Sequence, residues 1–359
     1  MLVKIVEPDL VGHHLNYLKL IIASLKHQEE IYLTVITKYE NRDQARSMLI
    51  DCKVPGEIKV LPYRWWREVS FFYHQRCSED VRDEEIYIFP YADRFWLALL
   101  ILAYFKRCRV HTIFMRLDFI YFKQLDFFSK IKSLMKYIVL NLLLLSKNIK
   151  TVWYADKLIK DSRLIFNKKI NTFSEPIFGV CEVSDYKPVS DGKHIVSILG
   201  SIGNRKEVFC LIDMLLHYNF SDEIRLKITG KVHISIKEKF YRKLSVLIRQ
   251  GYKIDIIDDY VSDEELFISA YESDIIWLVY NRHYGPSGIL EIAKYLKKKI
   301  ISRRDGYIGS TLHNYDKCIF VEEHESLKAA FKAVCKLENL ELVIDHQYSE
   351  LECFGDFVK

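Results

Sequence analysis

The chain has 359 residues, half of them hydrophobic, and a formal net charge of +5. At roughly 100–200 residues per domain, this length predicts two domains with sizeable cores. With only 13 glycines and 7 prolines, no stretch has the composition of a disordered tail or a flexible linker.

The charge is unevenly spread. Residues 1–190 hold 29 Lys+Arg against 22 Asp+Glu, the remainder 24 against 26, and residues 121–170 alone hold eleven against three. This is a regional basic patch rather than the composition of a nucleic-acid binder, so no nucleic-acid partner is expected. The eight cysteines are scattered without a CxxC pair. They read as reduced thiols rather than a disulfide framework or a zinc site. The opening MLVKIVEPDL reads as a buried strand rather than a secretory signal. The apolar runs Leu97–Phe105 and Tyr137–Leu145 fall short of the roughly 20 residues of a spanning helix. The expected setting is the cytoplasm, or the inner face of the cell membrane.

Taken in chain order, β-branched runs alternate with helical apolar spacing. In the first half, strands are expected at Leu2–Glu7, Ile31–Thr37, Glu57–Tyr63, Ile86–Pro90, Val110–Arg116, Thr151–Asp156 and Ile170–Pro176. Residues 185–193 are polar and turn-rich, and the pattern then restarts. The second half offers His194–Gly200, Ile224–Gly230, Tyr252–Asp258, Asp274–Val279, Lys299–Ser302 and Cys318–Glu322. Strands alternating with helices predict an α/β fold with parallel sheets. The expected domains are residues 1–188 and 189–340, with an amphipathic stretch in 341–359 returning to the first.

Ligands of open α/β sheets bind beyond the carboxyl ends of strands, so those ends carry the candidate site residues. In the first half, Gly12, His13 and His14 lie between the first strand and the first helix. They are candidates to meet an acceptor, and a helix start with partly buried histidines is the plain alternative. Asp93 follows the fourth strand, and Arg116 and Asp118 follow the fifth. Either a functional role or a simple ion pair fits them. The segment FFSKIKSLMKYIVLNLLLLSKNIK, residues 127–150, combines lysines with bulky apolar residues. It reads either as a core helix with solvated lysines or as a helix lying on an anionic membrane surface.

In the second half, HIVSILG ends at Gly200, and Ser201, Gly203, Arg205 and Lys206 follow. Arg205 and Lys206 are expected to open a helix, where two cations suit a diphosphate; a tight turn with solvated charges is the plain alternative. After the strand Asp274–Val279 come His283 and then Pro286-Ser287-Gly288-Ile289, with Glu291 one turn on. Open N–H groups at such a helix start suit a phosphate or a sugar oxygen, and Glu291 can accept from vicinal hydroxyls; a helix cap with a surface Glu is the alternative. The glycines of Asp305–Gly309 mark either a close backbone approach or a loop crossing over the site. The loop near Asp258–Val261 is the expected base-binding segment and does not select a base.

From about His194 to Val334 these segments, in order, resemble the donor-binding domain of GT-B glycosyltransferases, in particular retaining family 4. LGSIGNRKE resembles the family's Gly-loop with its phosphate-binding Lys, here Lys206. YVSDEELFISAYESDIIWLVY resembles its strand–helix–strand approach to the donor site. YGPSGILEIA resembles its sugar- and ribose-binding helix start, with Ser287, Gly288, Ile289 and Glu291, and RRDGYIG its following loop. HQYSELECFGDFV is similar to the closing helix that returns to the first domain.

The resemblance implies two Rossmann-like domains facing a central cleft, with the acceptor on the first and the donor on the second. It also implies transfer of a sugar from a nucleotide-diphosphate sugar, UDP-linked or GDP-linked, to a saccharide hydroxyl with retention of configuration. No metal or other cofactor is obligatory. Three positions depart from the pattern. His283 stands where the family carries the first of two glutamates, and Ser201 stands at the usual Gly-loop arginine, with Arg205 nearby to replace it. Arg116 or its neighbours meet the position of a first-domain histidine. The catalytic candidates are therefore Arg116, Asp118 and His283. The expected acceptor is a saccharide; a membrane-bound helix at 127–150 would make it lipid-linked, a step in surface-polysaccharide assembly. Two alternatives stay open: an inactive binding or scaffold protein on this fold, and another nucleotide-sugar enzyme such as an epimerase or a sugar-phosphate synthase.

Overall fold

The computed structural model describes residues 2–10, 13–25, 31–61, 70–72, 85–105, 108–116, 118–154, 168–173, 175–183 and 192–321. The chain divides into two compact units between Ser174 and Glu175. The expected boundary at 188/189 and the expected closing helix in 341–359 lie outside the described residues.

Every expected strand is present. The first unit holds β1 (Leu2–Val6), β2 (Tyr32–Thr37), β3 (Gly56–Val60), β4 (Glu85–Phe89), β5 (Cys108–Phe114), β6 (Ile149–Tyr154) and β7 (Ile170–Thr172). They form one parallel sheet in the order β3-β2-β1-β4-β5-β6-β7. The second unit holds β8 (His194–Leu199), β9 (Ile224–Thr229), β10 (Lys253–Ile257), β11 (Ile275–Leu278), β12 (Lys299–Ser302) and β13 (Cys318–Phe320). These form a second parallel sheet in the order β10-β9-β8-β11-β12-β13.

Burial follows position in the sheet. All of Glu85–Phe89 in central β4 is buried, whereas Lys253–Ile257 at the edge is largely exposed. A parallel sheet covered on both faces demands apolar residues at successive positions, not only alternate ones. The two faces of the first sheet have separate cores. Val3, Ile5, Ile86 and Ile88 pack on one side with α1 (His13–Leu25) and α2 (Arg42–Asp51). Val6, Tyr87 and Phe89 pack on the other with α3 (Trp96–Phe105) and α4 (Phe127–Leu145). Each such side chain contributes about 1.5–3 kcal/mol on burial. In the second unit, α5 (Val208–Tyr218) and α6 (Ile234–Arg249) cover one face through Leu211, Leu215, Phe240 and Leu247, and α7 (Asp263–Tyr271) connects β10 to β11.

Three local expectations change. The seventh strand stops at Thr172, short of Pro176, whose ring nitrogen has no hydrogen to give a ladder. Arg205 and Lys206 do not open an α-helix. They belong to a 3-10 turn, Asn204–Lys206, and Glu207 at φ 42° breaks the chain before α5 begins at Val208. The expected loop at Asp305–Gly309 is mostly a short helix, α9 (Gly306–Thr311).

Both sheets reverse their strand order at one place, between β1 and β4 and between β8 and β11. Beyond the carboxyl ends of those strands diverging connections leave a crevice, which is where such sheets bind ligands.

Candidate functional site

In the second unit the switch point is built on two glycines. Gly200 follows β8 at φ +78°, and Gly230 follows β9 at φ +134°. A Cβ on Gly230 would overlap the carbonyl of Gly200, so the two strand ends touch through bare backbone. Ladder bonds hold them there: Gly200 N donates to Thr229 O at 2.8 Å and Gly230 N to Ile257 O at 2.9 Å.

The turn after Gly200 brings Lys206 back over it. Lys206 is buried, and its Nζ donates to the Leu199 carbonyl. The same Nζ lies 5.4 Å from the Tyr280 ring centroid. It is also 3.3 Å from where a Cβ on Gly200 would stand, with Ile289 Cγ1 3.7 Å from that point. Burial, reinforced by the neighbouring Arg205 charge, lowers the Lys206 pKa to about 7. Arg205 itself is exposed. The loop is tied to β11 twice. Trp277 Nε1 donates to Lys206 O at 2.9 Å, and Asn281 N donates to Arg205 O at 2.7 Å.

Beyond β11, Tyr280 is buried and its hydroxyl bonds the Ser287 side chain; desolvation pushes its pKa up. His283 meets the Tyr280 ring edge-on, with centroids 5.1 Å apart. Its carbonyl accepts from Tyr307 N at 2.9 Å, and a Cβ on Gly306, at φ +72°, would stand 2.5 Å from that oxygen. Arg303 joins the third loop to the first, donating to both Glu207 oxygens at 3.1 and 3.2 Å and to Asp305 at 3.0 Å. Gly288 then starts α8 (Gly288–Tyr295), with Ser287 extended at the N-cap. The positive end of this helix and its first N–H groups favour an anion. Glu291, one turn in, pairs with Lys294 at 3.0 Å.

Gly200, Lys206, His283, Ser287, Gly288 and Ile289 are thus gathered at the β8/β11 switch, with Ser201 and Arg205 exposed at its rim. Sequence reasoning missed two neighbours. Tyr280 was findable as the residue leaving the apolar strand. Glu175 had no local signal. It is buried, and desolvation plus the charge of Glu291 raises its pKa to about 8, so it keeps its proton at neutral pH. At the expected base-binding loop, Asp258 is held by Val232 N at 2.9 Å, Tyr241 Oη at 2.9 Å and Lys237 at 2.7 Å. Tyr260 beside it is 82% exposed, with Lys231 6.0 Å from its ring.

The first unit's switch point is chemically different. His14 Nδ1 bonds Glu7 Oε1 at 2.9 Å, and its ring lies tilted by 33° against Tyr91 with centroids 3.9 Å apart. Glu7 is fully buried, and desolvation raises its pKa. Asp93 accepts from Met115 N at 2.8 Å and Arg116 N at 2.9 Å, anchoring the end of β5. Burial still raises its pKa, to about 6. Asp118 pairs with Lys136 at 2.8 Å, and Arg116 is exposed. Glu7 and Tyr91 were not singled out in the sequence. Gly12 and the His13 side chain lie outside the described residues.

No family model matches the chain, and no curated protein matches it at a significant level. Solved structures do. HepE of Anabaena, in complex with UDP and glucose, gives a TM-score of 0.59 at 10% identity, over 94% of this chain and 90% of its own. Sucrose-phosphate synthase from Thermosynechococcus elongatus gives 0.60 at 13% identity, over 93% and 89%. The UDP-GlcNAc 2-epimerase of Methanocaldococcus jannaschii gives 0.58 at 12% identity, over 94% of each chain. The fold is GT-B: two α/β units, each on a parallel sheet.

Proposed function

We propose that this chain is a nucleotide-sugar-dependent glycosyltransferase, of the hexosyl-transferring, family 4-like kind. The observation that carries the reading is Lys206: a buried ammonium beside paired glycines and a helix N-terminus, at the switch point of the second sheet. That is a site for a diphosphate. UDP is the first choice of base, because the structures of HepE hold UDP or UDP-glucose and that of the UDP-GlcNAc 2-epimerase from Neisseria meningitidis holds UDP-GlcNAc. A GDP-sugar is the second.

The second unit takes the donor and the first takes the acceptor. Arg205, Lys206 and the N–H groups at Ser287–Gly288 neutralise charge developing on the departing diphosphate. Glu291 accepts from the ribose hydroxyls. His283 stands near the donor sugar, and the sugar is held as an oxocarbenium-like species against an acceptor hydroxyl. Arg116 and Asp118 serve the reaction from the first unit, with Gly12, His13, His14 and Asp93 on the acceptor side. Configuration is retained and no metal is obligatory. The acceptor is a saccharide, lipid-linked or part of surface-polysaccharide assembly, handled in the cytoplasm at the inner face of the membrane.

A second reading, a sugar-nucleotide epimerase, is favoured by the equal coverage of the epimerase structure. The deciding experiment has two stages. Thermal shifts with UDP, GDP, ADP and CMP are compared between wild type and the Lys206→Ala and Glu291→Ala variants. One diphosphate is expected to stabilise wild type, and both variants to lose the effect. No shift with any nucleotide would move a scaffold role ahead. Turnover of the matching sugar nucleotide then separates the enzymes: a new glycosidic bond supports transfer, and an epimerised donor overturns it.

A further inference from the structure

We infer that the outward face of α4 docks on an anionic lipid surface. The helix is fixed at its start by Asp126, whose carboxylate accepts from Ser129 N at 3.0 Å. Ser133, Leu140, Leu143 and Leu144 form its buried face. The opposite face is also apolar. Phe127, Phe128, Ile131, Met135, Ile138 and Leu142 are 41–81% exposed. At roughly 100° per residue they fall within an arc of about 100°, directly away from the core. An ordinary surface helix carries polar residues there. Tyr104 and Phe105 of α3 extend the patch, both at least half exposed. The Tyr104 hydroxyl donates to Leu142 O at 2.5 Å.

Charge identifies the occupant. No Asp or Glu occurs between residues 127 and 155, while lysines stand at 130, 132, 136, 147 and 150. Lys130 and Lys132 flank the apolar stripe at roughly 100° on either side. From there their stems reach headgroup phosphates while the stripe enters the acyl boundary. A second copy meeting this face would set lysines against lysines with no acid between them. Among the described residues, no helix is long and apolar enough to cross a membrane. Lying on the surface is the geometry that remains for this face. The inference rests on α4 alone and not on the donor-site reading.

The test uses the full chain and sedimentation with vesicles of phosphatidylcholine, with and without phosphatidylglycerol. Wild type is expected to bind only the anionic vesicles, less tightly as salt rises. Phe128→Glu with Ile131→Glu should cut binding by more than about tenfold, and each of Lys130→Gln and Lys132→Gln by about fivefold. The glutamate variants should keep the wild-type melting temperature and nucleotide shift, which separates this outcome from failure of the donor site. Three results would overturn the proposal. One is binding that ignores lipid charge or these substitutions, or no binding at all. Another is a lowered melting temperature in the glutamate variants, which would mean that another segment of this chain covers the face. The last is a wild-type dimer that the glutamates dissociate, which would assign the face to a second copy.

Discussion

The second sheet repeats the order of the first six strands of the first and reverses it at the corresponding place, yet the two switch points are furnished with opposite chemistry. The second unit offers backbone glycines, a buried lysine and the positive end of α8. The first offers a buried carboxylate on a histidine, a tilted histidine–tyrosine contact and a second carboxylate spent on backbone N–H groups. Topology supplies the crevice, and the residues at its lip decide what enters. An anion suits the second unit. A neutral, hydroxyl-bearing molecule suits the first, where carboxylate and imidazole can accept and donate without an excess of positive charge.

The contrast can be broken, starting with the largest effect. Gly230→Ala drives a methyl into the Gly200 carbonyl, whereas Gly192→Ala, at φ +79°, meets open space. Denaturant unfolding should show a loss of about 3 kcal/mol or more for the first and about 1 kcal/mol for the second. Equal losses would mean that the glycine crossing is not tight. Next, Lys206→Ala should weaken UDP binding by about 10–100-fold, and Glu7→Gln should leave it unchanged in calorimetric titration. The reverse pattern would exchange the roles of the two units.

A smaller effect is expected with pH. Free Lys206 loses its proton near pH 7, and a bound diphosphate favours the charged form, so binding takes up a proton. Affinity for UDP should therefore fall as pH rises above 7, by at most about tenfold per unit, and Lys206→Ala should flatten that profile. An unchanged slope in the variant would place the titrating group elsewhere. Smallest of all, Tyr280→Phe removes one hydrogen bond to Ser287. It should cost about 0.5–1.5 kcal/mol of stability, and a neutral result would show the bond to be replaceable.

The strands were legible because a parallel sheet buried on both faces needs continuous β-branched runs, and Ile86–Phe89 or Ile275–Leu278 have no other good use. The strand ends then located Gly200, Lys206 and Ser287. The path of the chain between them was not legible. Glu207 adopts a left-handed conformation with no glycine or asparagine to announce it, so the helix seemed to begin three residues early, at Arg205 rather than Val208. Glu175 keeps its proton because it is buried and because the fold brings it near the charge of Glu291, 116 positions away, two conditions that only tertiary structure creates. Asp93 looked available from sequence, yet both its oxygens hold the backbone just past β5, at Met115 and Arg116.

The indole of Trp277 donates directly to the carbonyl of Lys206, deep in the second unit, where it is the only tryptophan between residues 175 and 348. The same residue thus offers its side-chain Nζ to the Leu199 carbonyl and its backbone carbonyl to the indole. With the other four tryptophans replaced by phenylalanine, emission from Trp277 is the natural place to look for occupancy of the lysine without an added dye, and stopped-flow traces would time the event.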